Sequence, residues 1–263
     1  MNENNTLAEE TLDGRVAVVT GSSTGIGRAA AVRLARAGAD VLIHAATNRQ
    51  SAEETADTVR KLGRSADVTL FDIQDLGKHH SFVNSCWNWK GHIDVWVNNA
   101  GADVLTGEKS ELSFDEKLQL LWDVDVKGTI GLSREIGSLM SKTKAGSIVN
   151  VGWDQVDFGM AGDSGEMFTT IKGAIMAFSR SLARTLAPTT RVNCVAPGWI
   201  KTSWGGAASE YWQERAKKES LLNRWGTPDD VAEVICFLAS PQSSFVTGQV
   251  IPVNGGYRGE MLS

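Results

Sequence analysis

The chain has 263 residues, 42% hydrophobic and 22% charged, which suits one compact domain with a large core and leaves little room for a second. A formal net charge of −5 with acidic and basic residues interspersed excludes a basic face for nucleic acid or anionic lipid. No apolar run approaches the ~20 residues of a membrane span. The N-terminus lacks a secretory pattern, and Cys86, Cys194 and Cys236 show no paired spacing, which predicts a reduced, cytoplasmic protein. His44, His79, His80 and His92 have no metal-ligand spacing and read as solvated surface, so no metal is expected.

Taken in order, residues 1–13 are polar and without apolar periodicity, which predicts a mobile tail ahead of one domain over 14–263. The apolar run Val16 to Val19 then enters Thr20-Gly21-Ser22-Ser23-Thr24-Gly25-Ile26-Gly27, and Ile26, Ala30, Leu34 and Ala37 leave it at helical spacing, up to a capping Gly38. A strand, a glycine turn and a helix N-terminus offer unpaired N–H groups and a positive dipole end to a phosphate. The spacing is Gly-x-x-x-Gly-x-Gly, not the Gly-x-Gly-x-x-Gly of the common dinucleotide fingerprint, and a glycine turn without ligand is the plainer alternative.

Val41 to Ile43, a helix through Ala52, Ala56, Val59 and Leu62 to Gly63, Val68 to Phe71, a helix around Phe82 and Cys86, and Ile93 to Val97 continue the alternation. Ser113 with Glu116 predicts a capping box opening a long helix; Asp163-Ser164-Gly165-Glu166 predicts a second, ahead of a helix from about Met167 to Leu186. Strands at Ser147 to Val151, Arg191 to Val195 and Gln249 to Val253 flank a helix opened by Thr227-Pro228. Residues 199–226 are irregular or weakly helical and suit a cover over a site. The expectation is an α/β, doubly wound sheet of about seven mostly parallel strands, with ligands at their carboxyl ends.

Thr20 to Gly27, Asn98-Asn99-Ala100-Gly101, Pro197-Gly198 through Thr202, and Asn254-Gly255-Gly256 stand in order on the expected elements. With these motifs the chain from Leu12 to about Tyr257 resembles the short-chain dehydrogenase/reductase family, in the length class of the 3-oxoacyl-carrier-protein reductases. The resemblance implies a Rossmann-like fold, a nicotinamide dinucleotide and a small-molecule carbonyl or alcohol substrate. It implies pyrophosphate on the turn (Gly21, Ser22, Ser23, Gly25, Ile26, Gly27), adenine on Asp72, adenosine ribose beside Asn99, Ala100 and Gly101, and nicotinamide ribose on Lys172. Pro197, Gly198 and Thr202 complete the cofactor set. Asp72 reads equally well as an ordinary strand-end turn residue. Where NAD-preferring members carry an acid after the second strand, this chain has Ala45, and Arg49 follows, so NADP is expected over NAD unless Arg49 is merely solvated.

The family's catalytic set is Asn, Ser, Tyr and Lys, and the resemblance puts Asp125, Trp153, Phe168 and Lys172 at those positions. Phe has no proton to give and the indole N–H does not titrate usefully. A substitute acid would be Asp125, Asp154, Asp157, Asp163 or Glu166, or Lys172 itself; capping is the plainer role for Asp163 and Glu166, which leaves Asp125 and Asp154 in front. The expected function is an NAD(P)(H)-dependent oxidoreductase with an atypical proton route. The alternatives are a catalytically inactive NAD(P) sensor or regulatory subunit, and an interaction module without ligand, which the intact turn argues against. Trp153, Trp199 and Trp204 would border a flat or apolar substrate, unless Trp153 and Phe168 fill the space and shut it. Trp87, Trp96 and Trp122 read as core or interface. The resemblance implies a homotetramer or homodimer through the two long helices, where Gly173, Ala174 and Ala177 permit close approach.

Overall fold

The computed structural model describes residues 11–143, 146–202, 205 and 209–258. Seven strands form one all-parallel sheet in the order β3-β2-β1-β4-β5-β6-β7. They are β1 (Val16–Val19), β2 (Asp40–Ala45), β3 (Ala66–Leu70), β4 (Val95–Asn98), β5 (Gly146–Val151), β6 (Thr190–Pro197) and β7 (Val250–Val253). The helices are α1 (Gly25–Arg36), α2 (Arg49–Lys61), α3 (His79–Lys90), α4 (Phe114–Leu121), α5 (Gly128–Met140), α6 (Asp163–Leu186), α7 (Glu210–Glu219) and α8 (Pro228–Ala239).

The central strands are apolar on both faces because both faces are covered. Ala17, Val19, Val41, Ile43, Val95, Val97, Val149 and Val195 meet α1, α2 and α8. Their alternates Val16, Val18, Leu42, Trp96, Ile148 and Val192 meet α3, α5 and α6. The strand order reverses between β1 and β4, and such a reversal opens a crevice at the carboxyl ends where ligands bind.

Local signals placed most helix ends. Gly38 and Gly63 take φ of +104° and +80° just past α1 and α2; Ser113 and Thr227 each close a capping box, with Glu116 and Asp230. Other expectations are corrected. Leu12 and Asp13, expected in the tail, belong to the folded domain: Leu12 is 1% exposed and donates its N–H to Ala37 O at 2.8 Å, and Asp13 pairs with Arg64, while residues 1–10 lie outside the described residues. No capping box forms at Asp163: Gly162 takes the N-cap without a side-chain bond and α6 starts at Asp163, so the exposed Asp163 and Glu166 lie in its first turn, where negative charge suits the dipole. His44 and His79 are buried rather than solvated. The former sits in the all-but-enclosed β2, and the latter bonds Ile73 O at 2.8 Å; His80 and His92 stay at the surface.

Trp96 is fully buried, Trp87 packs partly buried on the same core and Trp122 is exposed. All three thiols are free and buried. Among the described residues no helix is long and apolar enough to cross a membrane, and no cluster of His, Cys, Asp and Glu could hold a metal.

Candidate active site

The glycine turn follows β1 at the crevice. Gly21 and Gly25 have φ of +63° and +56°. A Cβ on Gly27 would lie 2.2 Å from Gly21 O and 2.4 Å from Asn99 Nδ2, so the start of α1 is pressed against the turn and against the residues after β4. Thr20 Oγ1 accepts the N–H groups of Asn99 and Ala100, both at 3.0 Å, and Asn99 Nδ2 donates back to Thr20 O and Gly21 O at 3.1 Å. The two motifs are therefore one rigid unit. No side chain caps α1 and no acid stands in its first turn, so its N–H groups are left for an anion. Thr202 Cγ2 comes within 3.7 Å of a Cβ built on Gly25, which brings the stretch after β6 over the turn.

Ser22 has a different place from the one expected. Its hydroxyl donates to Val19 O at 2.7 Å and accepts the His44 N–H at 3.0 Å, and its own N–H donates to His44 O at 2.9 Å. Fully buried and fully bonded, it shapes the turn; the neighbouring Ser23 is the half-exposed hydroxyl. His44 completes the support, accepting the Gly21 N–H on Nδ1 at 3.0 Å while Nε2 bonds Phe71 O at 2.9 Å. Burial pushes its pKa down to about 4, so the ring is neutral and Nε2 carries the proton. At the ends of β2 and β3, Arg49 is exposed and 3.5 Å from Glu53, and Asp72 is exposed and accepts the Gln74 N–H.

Asp125 lies in a π turn, Trp122–Lys127, between α4 and α5, a wider turn that carries its side chain inward. Its Oδ2 takes Lys172 Nζ at 2.8 Å, its Oδ1 takes the Ala102 N–H at 2.8 Å, and a Cβ on Gly101 would lie 2.8 Å from Oδ2. One helical turn before Lys172, Phe168 meets Trp153 edge-to-face, centroids 6.1 Å apart. Cys194, beneath Gly152, is no nucleophile: burial raises its thiol to about 12.

Asp154 follows β5, 2% exposed. Its Oδ2 accepts Asn254 Nδ2 at 3.0 Å, and its buried Oδ1 has no partner among the described residues. Burial first, and then the charge of Glu219, raise its pKa to about 6 against the hydrogen bond from Asn254. Glu219, 5% exposed at the end of α7, accepts Trp199 Nε1 and Arg215 Nε, both at 2.6 Å. Trp199 also packs on Trp212 and Trp225, centroids 5.4 and 6.1 Å away. Of the expected indoles, Trp204 lies outside the described residues. Asp157, Asp163 and Glu166 are exposed and are not brought to this cluster. Nothing in the sequence singles out Glu219 or Gln155, and for His44 the signal is a polar residue at the end of the apolar run of β2.

The family description enoyl-(acyl carrier protein) reductase matches residues 21–258. The chain belongs to the short-chain dehydrogenase/reductase family. It is 36% identical over 252 residues to the 3-oxoacyl-(acyl-carrier-protein) reductase of Aquifex aeolicus, covering 93% of this chain and 98% of that one. The cyclohexanol dehydrogenase of Rhodococcus sp. (strain TK6) is 36% identical over 261 residues, covering 93% and 96%. A short-chain dehydrogenase of Burkholderia cenocepacia in complex with NADP superposes with a TM-score of 0.83 at 29% identity, covering 94% and 98%. The family's enzymes are NAD(P)-dependent oxidoreductases, and the close-packed glycine turn and uncapped α1 fit such a dinucleotide.

Proposed function

We propose that this protein interconverts a carbonyl compound and an alcohol with NADP(H) in preference to NAD(H), and that Asp154 handles the proton. The observation that carries this is the Asp154 carboxyl: buried, one oxygen held by Asn254, the other without a partner, and a pKa raised to about 6. When bound, the dinucleotide gives or takes the hydride. In the reducing direction protonated Asp154 Oδ1 gives its proton to the carbonyl oxygen, and the carboxylate is then reloaded from water; in the oxidising direction it takes the hydroxyl proton. Positioned proton transfer of this kind contributes roughly two to four orders of magnitude in rate.

Asp125 and Lys172 serve differently in this reading. Both Asp125 oxygens are occupied and the Lys172 ammonium is committed to one of them, so the pair fixes the ammonium for the nicotinamide ribose. Trp153 and Phe168 stand at the family's Ser and Tyr positions and exclude water from the reacting atoms. Gly21, Ser23, Gly25, Ile26 and Gly27 hold the pyrophosphate; Asn99, Ala100 and Gly101 line the ribose; Pro197, Gly198 and Thr202 close on the nicotinamide side, and Asp72 meets the adenine. Ala45 followed by the exposed Arg49 supports NADP. The names of the relatives, a keto-acyl reductase and an alcohol dehydrogenase, support carbonyl and alcohol chemistry. Small residues Gly173, Ala174 and Ala177 on α6 support a homodimer or homotetramer, and three buried thiols suit a reducing cytoplasm.

The edge-to-face contact of Trp153 with Phe168 favours one second reading, an NAD(P) sensor that binds without turnover. NADPH oxidation over a panel of ketones, with NADPH binding measured in parallel, separates the two. Turnover supports the oxidoreductase; tight binding with no turnover of any ketone supports the sensor.

A further inference from the structure

Gln155 follows Asp154 in one short 3-10 turn and is 1% exposed. Neither Nε2 nor Oε1 has a hydrogen-bond partner among the described residues, and Asp154 Oδ1 beside it has none either. The amide lies close enough to Asp154 to affect the carboxyl weakly, but no hydrogen bond of normal geometry joins them. Native interiors rarely leave one such group unmet, and here three unmet atoms fall on adjacent residues. On the other side the carboxyl is anchored by Asn254, so one carboxyl oxygen and both ends of the amide are buried without partners on adjacent residues.

We propose that Asp154 and Gln155 are a recognition pair for substrates that carry a hydroxyl on the carbon next to the reacting one: α-hydroxy ketones and the corresponding vicinal diols. This rests on the reading of Asp154 as the proton donor. With Asp154 Oδ1 on the carbonyl oxygen, the neighbouring hydroxyl accepts from Gln155 Nε2 and donates to Oε1, since a hydroxyl can donate once and accept at the same time. A carboxylate in that place would face the negative Glu219 that already acts on Asp154, and any ion would carry the cost of burial. An amide that has lost its match discriminates strongly, because a plain ketone leaves both of its ends dry and unpaired.

The test compares 2-hydroxycyclohexanone with cyclohexanone, at saturating NADPH. Wild type is expected to show kcat/KM about tenfold or more in favour of the hydroxy ketone. Gln155→Met should erase that ratio, and Gln155→Glu, which keeps an acceptor of the same length, should retain part of it. Binding is read separately, from the melting temperature with NADP and either trans-cyclohexane-1,2-diol or cyclohexanol. The diol should stabilise wild type more, and the two should be equal in Gln155→Met. Equal treatment of both compounds by wild type in rate and in melting temperature overturns the proposal, as does a ratio that survives Gln155→Met. Should Gln155→Met not fold, the wild-type comparison and Gln155→Glu decide. Gln155-dependent binding of the diol without any turnover would support the pair and overturn the oxidoreductase reading instead.

Discussion

Lys172 Nζ donates to Asp125 Oδ2 at 2.8 Å across the gap between α6 and the π turn, joining two side chains only 15% and 2% exposed. Removing one partner of such a pair leaves a buried charge alone. Asp125→Ala should therefore cost about 3 kcal/mol of stability. That corresponds to a fall of roughly 6 to 12 °C in melting temperature for a chain of this size. The double change Asp125→Leu with Lys172→Met should recover most of the loss while abolishing NADPH binding. Equal destabilisation in single and double variants would show that the pair is not coupled.

Two buried titrating groups act on stability with opposite signs. Burial lowers His44 from 6.5 to about 4, so its contribution is complete above pH 6.5 and is lost as pH falls through 4. Burial raises Asp154 from 3.8 to about 6, so its contribution is complete below pH 3.8 and is lost as pH rises through 6. Each is worth about 3 kcal/mol, and they largely cancel in wild type. In Asp154→Asn, stability measured by urea unfolding should rise from pH 4 to 6.5; in His44→Gln it should fall over pH 4 to 6. Parallel pH profiles in the two variants would contradict both assignments.

The proposed pyrophosphate site makes cofactor binding depend on closeness at the turn. Ligand at a hundred times its Kd should add about 2.7 kcal/mol to wild-type stability. Gly27→Ala, whose Cβ would meet Gly21 O at 2.2 Å, should abolish the melting-temperature rise with NADPH. Arg49→Ala should weaken NADPH more than NADH. An equal change in both would mean that Arg49, 59% exposed and beside Glu53, does not meet the 2′-phosphate.

Much of this was legible because it is local. The apolar runs of β1 and β4, the glycines past α1 and α2, and the caps at Ser113 and Thr227 depend on a few neighbouring residues. The site was legible only as a set of positions. Asp125 and Asp154 looked equivalent in sequence; the Lys172 ammonium and the Ala102 N–H distinguish them, and both come from elsewhere in the chain. The partners of Ser22 in β2, the backbone groups of His44, likewise come from 22 residues along the chain. The box at Asp163 failed although its spacing matches the one at Ser113, because the helix started one residue earlier, after a Gly162 at φ +88°.

Trp153 and Phe168, centroids 6.1 Å apart, are the residues that the proposed reading sets at the family's Ser and Tyr positions. Restoring the family's hydroxyl relay by Trp153→Ser with Phe168→Tyr, in a chain also carrying Asp154→Asn, should return slow ketone reduction beside the intact Lys172. The readout is NADPH oxidation against the Asp154→Asn parent. No gain over that parent would mean that the nicotinamide is not held in the family's pose.

We assign the proton transfer to the Asp154 carboxyl, and Asp154→Asn isolates it, since the amide keeps the shape and the neighbourhood of Asn254 but has no titrating proton. Ketone reduction by wild type should fall as pH rises through about 6, and Asp154→Asn should lower kcat by roughly two to four orders of magnitude with NADPH affinity unchanged, the signature of an interaction made in the transition state. Turnover by Asp154→Asn at the wild-type rate, with the same pH profile, would show that another group moves the proton.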